Sequence, residues 1–177
     1  MRRRNFLRMA GIAASAVSMQ ALPVNRLQAR SPALDDARFD HVSLNVRAFD
    51  DLMVWYQEKL GFEIEVAWRV NALNGKRLAY LTLNDTRLEL VEADANGIGL
   101  PEAADFLAHF ARTGYGHLCF AVDDVDQILS ALEEEGVPTF VRAETYALDG
   151  TQYLRRVGFV KDPEGNVLEF AEPLIAA

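Results

Sequence analysis

The chain has 177 residues, half of them hydrophobic and a quarter charged, which is the composition of a soluble globular protein. Its 18 basic and 26 acidic residues give a formal net charge of −8. Nucleic acid is therefore not expected as a partner, because an acidic protein repels polyanions. The single cysteine, Cys119, excludes an internal disulfide.

The N-terminus has the features of an export signal. Residues 3–8, RRNFLR, precede an Ala-rich apolar run and resemble the twin-arginine signal. We expect residues 1–29 to be a signal peptide, cleaved after Ala16, Ala21 or Ala29, and the mature protein to be periplasmic or secreted. Cleavage would remove five arginines and no acidic residue, so the net charge of the mature protein would be −13. The remaining sequence has no apolar stretch long enough to span a membrane.

The first predicted module occupies residues 38–93. Alternating apolar positions predict a strand over Asp40–Val46. One face of this strand carries His41, Ser43 and Asn45. Asp50 or Asp51 is expected to cap a helix that ends at Gly61. Three further strands are predicted over Phe62–Trp68, Arg77–Leu83 and Thr86–Glu92.

Residues 115–172 repeat this order and form the second predicted module. Its first strand carries His117, Cys119 and Ala121 on one face, and its helix ends at Gly136. The later strands are predicted over Thr139–Arg142, Tyr153–Lys161 and Asn166–Glu172. A helical linker over Glu102–Thr113 joins the modules, and its His109 is expected to be an ordinary surface residue.

The two modules are expected to pair, because one βαβββ unit cannot bury both of its faces alone. This predicts an α+β fold of paired βαβββ modules around a concave cup. A glutamate late in each module, Glu89 or Glu169, has the pleat parity that places it on the face of the histidines, His41 or His117. Two histidines and two glutamates on one surface indicate a site for a divalent metal ion.

Residues 38–172 resemble the vicinal oxygen chelate superfamily, which includes glyoxalase I, methylmalonyl-CoA epimerase, extradiol dioxygenases, fosfomycin-resistance enzymes and metal-free bleomycin-binding proteins. The motifs that carry the resemblance are DHVSLNV, LELVE, GHLCFAV and KDPEGNVLEF. The resemblance implies that His41, Glu89, His117 and Glu169 are the metal ligands. A homodimer is also expected, and family members form the cup either within one chain or across two.

The implied ligand set favours proton transfer. Dioxygenases of the family typically use two histidines and one glutamate, whereas glyoxalase I resembles this chain in having a second glutamate. A metal ion with such ligands binds two neighbouring substrate oxygens as a Lewis acid, and Glu169 or Glu89 is then the candidate catalytic base. We therefore expect one divalent ion, whether Zn, Ni, Mn, Fe or Co, in a lyase or isomerase whose small-molecule substrate has vicinal oxygens.

Glutathione dependence is not expected. At positions where many family members hold the carboxylates of glutathione, this chain has Asn45, Ala93 and Thr113. Asn45 remains a candidate substrate-binding residue, together with Arg155, which matches a position where some members carry a basic residue. Two alternatives remain: an iron-dependent extradiol-type dioxygenase of aromatic compounds, and a metal-free small-molecule binding protein. Cys119 is expected to be a small buried thiol.

Overall fold

The predicted strand–helix–strand–strand–strand order occurs twice in the computed structural model, in which residues 37–99 and 101–176 are described. The predicted signal peptide, residues 1–29, lies outside these residues. The α+β fold with βαβββ sheet modules is confirmed. Among the described residues, no helix has the length and apolarity needed to cross a membrane.

The first module contains one four-stranded sheet and one helix. The elements are β1 Val42–Val46, α1 Phe49–Leu60, β2 Glu63–Val70, β3 Lys76–Leu83 and β4 Thr86–Glu92. The sheet has the order β1-β4-β3-β2, with β1 parallel to β4 and the other pairs antiparallel. A short 3₁₀ turn, Asn71–Leu73, separates the second and third strands.

The second module and the linker helix that precedes it contain seven elements. They are α2 Phe106–Phe110, which is the linker helix, β5 His117–Ala121, α3 Val125–Glu134, β6 Thr139–Ala147, β7 Tyr153–Lys161, β8 Val167–Ala171 and β9 Ile175–Ala176. The strands form a five-stranded sheet in which the order β5-β8-β7-β6 repeats the first topology and β9 pairs with β7. The linker helix is shorter than predicted, because the Asp105 side chain accepts a hydrogen bond from the Ala108 amide and caps the helix there.

The start of α1 differs from the prediction. Its N-cap residue is Ala48, which has no polar side chain, so neither Asp50 nor Asp51 caps the helix. Instead Glu164, in the turn between β7 and β8, accepts hydrogen bonds of 2.6 Å from the amides of Arg47 and Ala48. A carboxylate from the second module therefore binds the two backbone amides that directly precede the first turn of the helix in the first module. The predicted left-handed end of α1 at Gly61 is confirmed, with φ of 73°.

One hydrophobic core joins the modules. Both helices and the helix-bearing faces of both sheets contribute to it, so the opposite faces of the sheets point away from this core. A buried hydrogen bond of 3.1 Å from the Tyr56 hydroxyl to Asp162 Oδ2 crosses between the modules. The main buried side chains are Phe49, Leu52, Tyr56, Leu88, Leu90, Val125, Leu129, Leu132, Leu168 and Phe170.

Candidate metal centre

The first module brings His41 and Glu89 together. Glu89 lies opposite Ser43 in the parallel β1–β4 register, so it shares the polar face of β1. His41 precedes β1 directly, and its Nε2 lies 3.6 Å from Glu89 Oε2. The side chains are 31% and 14% exposed, so the pair is accessible from the open face of the sheet.

Asp40 orients the ring of His41. Its Oδ2 lies 2.7 Å from His41 Nδ1, and this hydrogen bond is the main cause that lowers the pKa of Asp40, with Arg87 adding to the effect. A carboxylate at Nδ1 favours a proton on that nitrogen. The Nε2 lone pair of a neutral His41 is then free for a ligand on the side of Glu89.

The second module brings His117 and Glu169 together in the same way. Glu169 lies opposite Cys119 in the parallel β5–β8 register, which places it on the face of His117. His117 is the first residue of β5, and its Nε2 lies 2.8 Å from Glu169 Oε2. The two side chains are 22% and 14% exposed.

His109 is not a surface residue as expected, because it is only 4% exposed. The linker helix α2 lies on the second sheet, where Phe106 contacts Phe159 with ring centroids 5.4 Å apart. This packing brings His109 Nε2 to 3.2 Å from His117 Nδ1. Burial lowers the pKa of His109, and the nearby charges of His117, Arg112 and Lys161 lower it further.

Cys119 also differs from the expectation, because its thiol is exposed rather than buried. As a member of the edge strand β5 it lies on the open face beside Glu169. Partial desolvation raises its pKa to about 11, with the Glu169 carboxylate adding to the rise and Arg155 opposing it. A thiol with this pKa is a poor nucleophile at neutral pH. The candidate substrate-binding residue Arg155 lies on the face of Glu169, because it is four residues before Phe159 on β7 and Phe159 pairs with Glu169.

An aromatic wall, defined here as Tyr80 and Trp68, lies beside the first pair. Tyr80 is paired with Glu89 across β3 and β4, and its ring centroid is 5.4 Å from that of His41. The ring centroid of Trp68 lies 4.8 Å from that of Tyr80. The guanidinium carbon of Arg87 lies 5.1 Å from the Tyr80 ring centroid. Asn45, the other candidate substrate-binding residue, is exposed on the same face of β1 as Ser43.

The two pairs do not form one cluster within the chain. Among the described residues, one group of three or more acidic, histidine or cysteine side chains has donor atoms within 4.8 Å of one another, and it contains none of the four predicted ligands. That group is Asp124, Asp126 and Glu172. It is explained by structure, because its members bind the amides at the start of α3 or the guanidinium of Arg156.

Each pair has donor chemistry that fits half of a divalent metal site. An imidazole nitrogen and a carboxylate oxygen face one another, and the remaining imidazole nitrogen has its own partner, Asp40 or His109. This is the arrangement in which a histidine acts as a metal ligand with its ring fixed by a second hydrogen bond. Nitrogen and oxygen donors of this type suit zinc and the other first-row divalent ions.

Asp40, His109 and the aromatic wall were not predicted as parts of the site. Asp40 has a signal in the sequence, since it directly precedes His41 in DHVSLNV. His109 has none, because its contact with His117 depends on how a five-residue helix docks on the sheet. The strand parity of Tyr80 and Trp68 places them on the face of Glu89 only when the strand register is known.

Known structures with the same fold are numerous. A glyoxalase family protein from Enterococcus faecalis is 24% identical, with a TM-score of 0.62 over 77% of this chain and 98% of that chain. A glyoxylase/bleomycin resistance protein/dioxygenase domain from Frankia sp. EAN1pec is 26% identical, with a TM-score of 0.55 over 77% and 91%. A lactoylglutathione lyase from Agrobacterium tumefaciens is 19% identical, with a TM-score of 0.53 over 78% and 95%. A comparison with curated proteins finds no match.

A family model also matches most of the chain. It covers residues 38–170, and thus both βαβββ modules, the linker between them and all four predicted metal ligands. The resemblance seen in the four sequence motifs is thereby confirmed at the level of the family. The chain belongs to the Glyoxalase/Bleomycin resistance protein/Dioxygenase superfamily.

Proposed function

We propose that the protein is a divalent-metal-dependent lyase or isomerase that acts by proton transfer on a small substrate with vicinal oxygens, without glutathione. The observation that carries this proposal is the repeated pairing of a histidine Nε2 with a glutamate carboxylate, at 3.6 Å in one module and 2.8 Å in the other. In each pair the histidine Nδ1 has a partner of its own, so Nε2 is the nitrogen that faces the glutamate.

The residues that would hold the metal ion are His41, Glu89, His117 and Glu169. An ion bound there supplies Lewis-acid stabilisation of the negative charge that develops on two neighbouring substrate oxygens. Carboxylates in both pairs lie on accessible sheet faces, so Glu169 or Glu89 can accept a proton from a substrate. We assign Glu169 the role of the principal base.

The other residues of the sheet faces would bind the substrate. Arg155 offers a positive charge on the sheet face of Glu169, which suits an anionic group on the substrate. Asn45 offers an amide on the open face of β1. The aromatic wall of Tyr80 and Trp68 offers an apolar surface next to His41. A small organic acid with an apolar part would match this combination of groups.

We further propose that the site is completed in a homodimer. The two modules of one chain share a core through their helix-bearing faces, and the two histidine–glutamate pairs lie on the opposite faces. Their donor atoms do not converge within one chain. In a two-fold dimer, the first pair of one subunit can meet the second pair of its partner, which gives two equivalent sites.

Subunit complementation tests this dimer. One variant carries His41→Ala with Glu89→Gln, and the other carries His117→Ala with Glu169→Gln. On co-expression, random pairing makes about half of the dimers mixed, and each mixed dimer regains one intact site, so roughly a quarter of the tight metal sites return. If the sites lie within single chains, the mixture will bind no more metal than the average of the two variants.

The proposed chemistry is tested by pairing metal content with solvent-deuterium exchange into α-hydroxycarbonyl compounds. Glu169→Gln should retain most of the metal while exchange falls by ~10²–10⁴-fold, the usual contribution of a positioned general base. Glu89→Gln should weaken metal binding. Wild-type protein prepared with ample divalent metal that binds none would instead indicate a metal-free binding protein.

The aromatic wall favours a second candidate, an iron-dependent dioxygenase of aromatic compounds. Stacking on Tyr80 and Trp68 suits a planar ring better than it suits a small aliphatic substrate. This candidate predicts oxygen consumption with catechols, strict dependence on iron and indifference to Glu89→Gln. That set of results would replace the lyase or isomerase assignment.

We also propose export by the twin-arginine route to the periplasm or the exterior. The support is the segment RRNFLR and the Ala-rich run that follows it. Export is consistent with the proposed activity without glutathione, because an exported enzyme meets little glutathione.

A further inference from the structure

The two histidine–glutamate pairs differ in what holds the second imidazole nitrogen. In the first module the residue before the histidine is Asp40, and its carboxylate lies 2.7 Å from His41 Nδ1. In the second module the residue before the histidine is Gly116, which has no side chain to offer. The linker helix supplies the partner instead, since His109 Nε2 lies 3.2 Å from His117 Nδ1.

Gly116 leaves the space that His109 uses. A Cβ atom at position 116 would lie 3.6 Å from His109 Nε2 and 3.8 Å from its Cε1, already in van der Waals contact. A longer side chain at 116 would therefore compete with the imidazole for the place next to His117. The glycine and the buried histidine together replace the single aspartate of the first module.

We infer that His109 is the positioning residue of the second half of the metal centre: it holds His117 Nδ1 so that Nε2 faces Glu169 and a bound ion. The inference rests on the metal site proposed above. His109 is only 4% exposed, and its helix is fixed by the packing of Phe106 on Phe159. The ring is therefore held in place for this contact.

An imidazole nitrogen at this position can either donate or accept a hydrogen bond, whereas an ionised carboxylate can only accept one. With the ion absent, the 2.8 Å contact with Glu169 favours a proton on His117 Nε2, so His117 Nδ1 accepts a hydrogen bond from His109 Nε2. A divalent ion held at His117 Nε2 would require that nitrogen to be unprotonated, and the neutral ring would then carry its proton on Nδ1. His109 Nε2 would then be the acceptor of this hydrogen bond.

His109 Nδ1 is the buried side-chain atom that has no hydrogen-bond partner in the described part of the chain. A buried unpaired nitrogen is costly, which indicates a functional reason for keeping a histidine there.

Three variants test this inference. His109→Phe fills the space without a hydrogen-bonding atom, and His109→Gln keeps an amide that can donate or accept. Phe106→Leu is the matched control, since it loosens the same helix but leaves the imidazole. For each protein, the dissociation constant for Zn²⁺ is measured by competition with a chromogenic chelator, and the melting temperature is measured without metal.

We expect His109→Phe to weaken Zn²⁺ binding by about 10–100-fold, as is typical when the partner of a ligating histidine is lost. His109→Gln should recover most of the affinity. Phe106→Leu should lower the melting temperature and should weaken Zn²⁺ binding by clearly less than His109→Phe does, because leucine keeps an apolar contact with Phe159 and the imidazole remains. If His109→Phe binds Zn²⁺ as wild type does, or if Phe106→Leu loses as much affinity as His109→Phe, the inference is wrong.

A spectroscopic readout on the wild-type protein does not depend on any variant folding. Two-bond ¹H–¹⁵N correlations distinguish the tautomers of a neutral imidazole, measured above the ordinary pKa of histidine. In protein saturated with Zn²⁺, His117 should carry its proton on Nδ1, the nitrogen that faces His109. A metal-loaded His117 that keeps its proton on Nε2 overturns the inference alone. Failure of the wild-type protein to bind any metal overturns both the proposed function and this inference.

Discussion

Replacing Tyr56 by phenylalanine tests how strongly the two modules of one chain are joined. Tyr56 is fully buried in α1, and its hydroxyl donates a 3.1 Å hydrogen bond to Asp162 Oδ2 in the second module. Asp162 is itself 4% exposed, and burial raises its pKa. Tyr56→Phe keeps the ring and its packing, so it removes this hydrogen bond without leaving a large cavity.

The size of the effect follows from the burial of the pair. A hydrogen bond to a charged group contributes about 1.5–3 kcal/mol to the free energy of unfolding. Asp162 Oδ2 also accepts a 2.8 Å hydrogen bond from Asn166 Nδ2, so the carboxylate keeps one partner in the variant. We therefore expect Tyr56→Phe to lower the free energy of unfolding by the smaller half of that range, about 1.5–2 kcal/mol.

The chain offers a matched control. The Tyr146 hydroxyl also donates a 3.1 Å hydrogen bond to a carboxylate oxygen, that of Glu144, but this pair is exposed. Because water replaces a lost partner at the surface, Tyr146→Phe should change the free energy of unfolding by less than about 0.5 kcal/mol. Urea-induced unfolding of the purified proteins measures both values. Equal losses in the two variants would refute the argument from burial.

Four further predictions concern stability, metal and export. Arg77 lowers the pKa of Glu92 to about 2. The pair therefore stabilises the protein above the ordinary pKa of 4.5, and this contribution is lost as the pH falls towards 2. Arg77→Met should make the free energy of unfolding decline less steeply over this acidic range. Gly158→Ala should destabilise by about 1–3 kcal/mol in urea unfolding, because the new Cβ would lie 2.6 Å from Leu129 Cδ1. Chelation of metal should lower the melting temperature of metal-loaded protein, and an unchanged temperature would count against a metal bound to the folded state. Replacing the arginine pair at 3–4 by lysines should leave precursor in the cytoplasm, and undiminished export in a fractionation assay would exclude the twin-arginine route.

Local pattern alone was enough to predict the two modules. Apolar alternation defines which residues of a strand share a face, and this parity is a property of the extended backbone. It placed Ser43 and Asn45 opposite the core, and it placed Glu89 and Glu169 on the faces of the histidines. The left-handed glycine that ends α1, Gly61, was predictable because few other residues adopt its φ of 73°.

Contacts between segments distant in sequence were not predictable. The carboxylate that accepts a hydrogen bond from the amide of Ala48, just before α1, belongs to Glu164 and not to Asp50 or Asp51. Glu164 and Ala48 are 116 residues apart in the sequence. Cys119 is exposed and lies on β5, which is an edge strand. The position of a strand within its sheet cannot be predicted from the sequence of that strand alone. His109 is buried because a short helix docks on the second sheet.

The sequence by itself determined which side chains each module presents, because strand parity and the βαβββ order are set by neighbours along the chain. Only the tertiary structure decided how those side chains are combined. It paired His41 with Glu89 and His117 with Glu169, gave each histidine a different second partner, and kept the two pairs apart within one chain. The physical reason is that burial of the two helix-bearing faces in one core fixes the relative placement of the modules, and no local propensity encodes that choice.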